Sequence, residues 1–168
     1  MTGIFQVAEL LRRVRCEMQF GEWSREPFKL LRIEVRNDEA WCDWLARPAD
    51  EWDAYIPSHA SARNFTVQAL EDAIKVRAML FNVLDDVQTI ELQAFRTLPN
   101  HCRELILAGT AFRDDKLPAR DISLTMQAKL LGFHFTVADG SLVRIGAQDD
   151  SSPNTRFSPS YPNHLKED

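Results

Sequence analysis

The sequence predicts an α+β fold, an antiparallel sheet of about four to five strands with helices packed on one face. Three observations carry that reading. Segments with a strict apolar-polar alternation stand beside one long segment of helical period, short turn signals separate them, and the composition is that of an ordinary globular chain. Of its 168 residues, 45% are hydrophobic and 27% charged, which is enough for one respectable core in one domain.

Taken in order, Ile4, Val7, Leu11, Val14 and Met18 recur at three- and four-residue steps and predict a helix over residues 3–19, with Arg12, Arg13 and Arg15 off its apolar stripe. The stripe falls short of the three or four heptads that define a coiled coil. It favours packing on its own domain over dimerisation, with a protein partner or a homodimer as the uses this helix would offer. The run Phe28 to Arg36 reads as a strand, with Leu31, Ile33 and Val35 on one face. Asn37 is then expected to cap a helix from Asp38 to Arg47, stopped by Pro48.

A central helix is expected from Phe65 to Leu84, where Val67, Leu70, Ile74, Phe81 and Leu84 form a stripe widened by Ala69, Ala73, Val76, Leu80 and Val83. Two alternating segments around Leu98 to Asn100 read as an antiparallel hairpin at the centre of the sheet. Residues 122–131 satisfy both periods. Helix is favoured, with Ser123 as cap and Gly132 as terminator. Phe133 to Ile145 reads as a second hairpin, turning at Asp139 and Gly140. The domain is expected to end near residue 145, leaving a Ser/Pro-rich tail, 146–168.

Bulk charge narrows the function classes. A net charge of −5 argues against nucleic acid as a partner, whose phosphates need clustered cations. No segment is long and apolar enough to span a bilayer, and Glu9 with its neighbouring arginines leaves no room for a secretory leader. Cys16, Cys42 and Cys102 are an odd number with no close pairing, which fits reduced thiols and a cytoplasmic location.

Catalytic and cofactor signatures are missing from the pattern. The six glycines have neither the dinucleotide nor the phosphate-loop spacing, and the four histidines are scattered, so no cofactor, metal or catalytic residue is assigned. Cys102, next to His101, reads as a small buried apolar residue rather than a nucleophile. The acidic pairs Asp85-Asp86, Asp114-Asp115 and Asp149-Asp150 read as turn residues.

The most distinctive stretch is Trp41 to Asp53, "WCDWLARPADEWD", which holds three of the four tryptophans. On the expected helix Trp41, Trp44 and Leu45 share a face and Asp43 can pair with Arg47. Beyond Pro48, Trp52, Tyr55 and Ile56 repeat the spacing on a short turn that ends at Pro57. The tryptophans then form either a lid on the core or one wall of a binding groove. The candidate ligand or interface residues are Trp41, Asp43, Trp44, Arg47, Asp50, Trp52, Asp53 and Arg77. Arg77 interrupts the stripe of the central helix and is expected to be latched by Asp50 or Asp53, less so by Asp43.

Two functions follow from this reading. The favoured one is a non-catalytic module that contacts another protein. The other is a small enzyme or small-ligand binder, of unknown ligand, with a pocket beside the Trp41 to Asp53 stretch and Arg77.

Overall fold

A computed structural model describes residues 29–49, 51–118 and 121–146, together with residues 9, 12 and 13. These last three are helical; the rest of the helix expected over 3–19, Cys16, Asp50 and the tail beyond residue 146 lie outside the described residues.

Strand β1 (Lys29–Arg36) pairs antiparallel with β2 (Glu39–Leu45) through the two-residue turn Asn37-Asp38. The helix expected from Asp38 to Arg47 is therefore a strand. Asn37 takes a left-handed φ of 53°, which asparagine tolerates better than other side chains. It turns a hairpin rather than capping a helix. Leu31 has no partner across β2, because the register shifts between Leu30 and Arg32, and this bulge puts Leu30, not Leu31, beside Ile33 against the core.

From β2 the chain passes through a 3-10 turn (Glu51–Tyr55) into the long helix α1 (Ser58–Val83), and returns as β3 (Thr89–Thr97), parallel to β2. The helix starts earlier than expected, directly after Pro57. Strand β3 pairs antiparallel with β4 (Arg103–Phe112), as the alternation predicted, around a loop in which His101 adopts a φ of 62°. Next come α2 (Leu124–Leu130) and β5 (Phe133–His134), which joins the far edge of the sheet, then the small hairpin β6 (Thr136–Ala138) and β7 (Ser141–Val143). Ser123 caps α2 by accepting from the Met126 amide at 3.3 Å, so the helical reading of 122–131 holds. Asp139 and Gly140, at φ 50° and 81°, supply the two positive dihedrals of a tight hairpin.

The result is an α+β fold around a five-stranded sheet ordered β1-β2-β3-β4-β5. The sheet is mixed rather than wholly antiparallel, because the segment read as a helix is β2 and its partner β3 lies parallel to it.

Large and small side chains alternate across the core face. The rows Ala40-Ile90-Ala111, Cys42-Leu92-Gly109 and Trp44-Ala94-Leu107 are in register and all buried. Each bulky residue thus has a small neighbour to fill toward. Leu70, Ala73, Val76 and Leu80 of α1 complete this core. Thr66, buried on the same helix, accepts from the Leu142 amide at 3.1 Å and donates to the Ala62 carbonyl at 3.0 Å, which ties β7 to α1.

The opposite face holds Trp41-Glu91-Thr110 and Asp43-Gln93-Ala108 in register. All six of these side chains are only half-buried or exposed.

Helix α1 ends at an unusual cap. Arg113, from the turn after β4, donates to the carbonyls of Val87 at 2.8 Å, Phe81 at 3.1 Å and Leu84. A guanidinium here satisfies carbonyls that the helix leaves unpaired and opposes the negative end of its dipole. Arg113→Gln should cost about 2–3 kcal/mol in urea unfolding, from the loss of charge-assisted bonds and the dipole contact. A change under about 0.5 kcal/mol, the size of an ordinary surface substitution, would show the cap to be energetically idle.

Candidate functional site

The stretch that leaves β2 is pinned to α1 by three polar contacts. Arg47 pairs with Asp72, with Nε and Nη2 each 2.8 Å from a carboxylate oxygen. Gln68 donates to the Pro48 carbonyl at 3.3 Å, and Asn64 donates to Asp53 Oδ1 at 2.9 Å. Residues 64, 68 and 72 lie four apart, so they form one rail along the helix. Pro48 and Pro57 bound the segment and restrict its backbone further. Asp72 is buried, and burial raises its carboxyl pKa above the usual value against the lowering pull of Arg47.

This pinning leaves the aromatic side chains of the 3-10 turn outside. Trp52 is 70% exposed and Tyr55 85% exposed. Beside them runs a groove of about 590 Å³ between the turn, the first two turns of α1 and the end of β3. Ala54, Ile56 and Phe65 give it an apolar wall, and Asp53 and Arg96 give it charge. Arg96 is itself held by Glu104 and by the Leu142 carbonyl at 3.2 Å. The described lining has one carboxylate, one guanidinium and hydroxyls, with no histidine, cysteine or lysine. Such a lining can orient a ligand through its charged and hydroxyl groups.

Compared with known proteins, the chain matches no family model, no curated protein and no solved structure.

The eight candidate residues separate. Trp44 lies in the core and Trp41 on the open face of the sheet, where the Arg36 guanidinium stands 6.0 Å from its ring centroid. They do not share a face with each other, since side chains of a strand alternate where those of a helix repeat. Trp44 enters the core, as a strand residue rather than as part of a helical lid, while Trp52 stands 70% exposed.

Asp43 does not pair with Arg47. Its carboxyl, raised by burial, faces Arg32 at 4.0 Å. Nearby Glu34 is held below its ordinary value by hydrogen bonds from Arg32 and Arg36. Arg77 is buried, and its Nη2 donates to the Phe112 carbonyl at 2.8 Å and to Asp115 at 3.3 Å. The latch to the acidic stretch is thereby corrected: Asp53 meets Asn64, Asp43 meets Arg32, and Asp50 lies outside the described residues.

Of the described candidates only Asp53 lines the groove; Trp52 precedes it on the same turn and Arg47 is held on Asp72, while Trp41, Asp43, Trp44 and Arg77 belong elsewhere. Cys102 is exposed rather than buried. Of the two described cysteines Cys42 is the buried one, its thiol pushed up to about 12 by desolvation. No group of metal-ligating side chains occurs among the described residues.

Asp72 was missed, although the signal was present. An acidic residue at the step between Ala69 and Val76 falls inside the apolar stripe, and a buried carboxylate calls for a cation. Phe65 and Arg96 carried no comparable sign.

Proposed function

We propose that this protein is a non-catalytic interaction module, and that its working surface is the Trp52-Tyr55 ridge with the groove beside it. The carrying observation is the exposure of two large aromatic side chains three residues apart on a turn that is pinned to α1. Trp, Tyr and Arg dominate binding energy at protein interfaces, and a rigid display lowers the ordering cost of association. The partner that fits is another protein. Its own pocket would receive the two rings, and an extended segment of it would lie along the groove.

The net charge of −5 supports leaving nucleic acid and anionic membrane out of this reading. No described helix is long and apolar enough to cross a membrane. A second reading, a small-ligand site, has one observation in its favour: the groove's volume falls in the range of ligand pockets, with Asp53 in its wall.

A photo-crosslinking residue in place of Tyr55 in the full chain, used in cells, should join one other protein. Binding of that purified protein should weaken roughly thirtyfold or more in Trp52→Ala, as for an interface hot spot. Unfolding of Trp52→Ala should stay within about 0.5 kcal/mol of the parent, because the side chain is exposed. Unchanged affinity would overturn the reading. So would crosslinking confined to small molecules with the groove as their site.

A further inference from the structure

A second concavity, of about 510 Å³, opens where α2, β5 and residues 144–146 meet. It shares no residue with the groove beside Trp52. Its walls are fixed by backbone. Gly132, at φ 89°, lets the junction of α2 and β5 pass so close to β4 that an added Cβ would sit 2.2 Å from the Thr110 carbonyl oxygen. The Ile145 amide donates to the Leu105 carbonyl at 2.9 Å. Phe135 and Ile145 supply apolar surface, and the Lys129 ammonium lies 5.8 Å from the Phe135 ring centroid.

Lys129, His134 and Arg144 line the concavity, are exposed, and make no ion pair or side-chain hydrogen bond among the described residues. No carboxylate is present in the described lining. Two cationic side chains and a histidine thus surround one apolar hollow whose described lining holds no carboxylate, an arrangement that concentrates anions there.

We propose that this concavity binds a small organic anion, a planar ring bearing a phosphate or carboxylate head. The ring rests on Phe135 and Ile145, and the head takes charge-assisted hydrogen bonds from Lys129, His134 and Arg144. The site is separate from the interaction surface, and either can exist without the other.

Fluorescence titration of the full chain with 1-naphthyl phosphate, 1-naphthoate and neutral 1-naphthol tests it. Both anions should saturate, with the doubly charged ester tighter than the carboxylate, and naphthol should bind at least roughly tenfold more weakly, since charge selects the ligand. The double variant Lys129→Glu, Arg144→Glu should weaken both anions by roughly a hundredfold while leaving naphthol within about twofold, because only the head group meets these side chains. Circular dichroism confirms that the variant is folded. Should it not fold, the single variants Lys129→Gln and Arg144→Gln serve, each expected to weaken the anions roughly tenfold. Naphthol binding as tightly as the anions, anion affinity unmoved by charge reversal, or no saturation by about 10 mM, the weak end of specific affinity, would overturn the proposal.

Discussion

Arg47→Met should destabilise the protein by about 3–5 kcal/mol at neutral pH, because it strands the Asp72 carboxylate in the core. Asp72 has 1% of its surface exposed, and Arg47 supplies both of its short hydrogen bonds. The loss should depend on pH, with a sign that follows from the raised pKa. A carboxyl that titrates higher in the folded than in the unfolded chain binds more protons when folded, so its ionisation lowers stability as pH rises through that window. Burial already raises Asp72 in the parent, and without Arg47 it rises further. The gap between parent and variant should therefore be widest at neutral pH and narrow as pH falls toward the ordinary carboxyl range. The double variant Arg47→Met, Asp72→Asn should recover most of the loss. Urea unfolding of the three variants at neutral and acidic pH measures all of this, and a single-variant cost below about 1 kcal/mol, typical of an exposed pair, would show that the contact is open to solvent.

The tryptophans of one short stretch should give opposite results. Trp44 sits in the row with Ala94 and Leu107 with 1% of its surface exposed, and Trp44→Ala should cost about 3–5 kcal/mol, since it removes a large core side chain and leaves a cavity. Trp52→Ala, eight residues later, should change stability by under about 0.5 kcal/mol. Calorimetry or urea unfolding checks both. Equal costs would mean that Trp52 also covers the core and would favour the lid reading.

That contrast marks where the sequence was legible. The β3-β4 hairpin, helix α2 and the turn at Asp139 and Gly140 were readable because their alternation, cap and glycine signals agree locally. Strand β2 was not. Ala40, Cys42 and Trp44 carry the strand period, while Trp41, Trp44 and Leu45 carry the helical one, and seven residues are too few to separate them. An asparagine followed by two acids also imitates a helix start, although here it turns a hairpin.

The site was half legible. Trp52 and Asp53 stand out by composition, whereas the groove beside them needs Arg96 and Phe65, brought close only by the path of the chain. The same limit hid the partner of Arg77, since Asp115 lies beyond two strands in the chain.

The parallel pairing of β2 with β3 divides the sheet by history as well as by position. Each neighbouring hairpin closes over a short connection, so β1-β2 and β3-β4 can form from nearby chain. The line between them joins only after the whole stretch from Leu45 to Thr89 has been drawn into a loop, and such distant pairing is slow because the entropy of closure is lost before contacts repay it. Backbone bonds run to both ends of that line: the Asp38 carbonyl accepts from Gln88 at 2.7 Å at one end, and the Ala46 amide donates to Phe95 at 2.8 Å at the other. The Arg47-Asp72 pair stands just past the second end, where the loop begins. The fold is in this sense two local halves zipped along one seam, with the ion pair as its fastener.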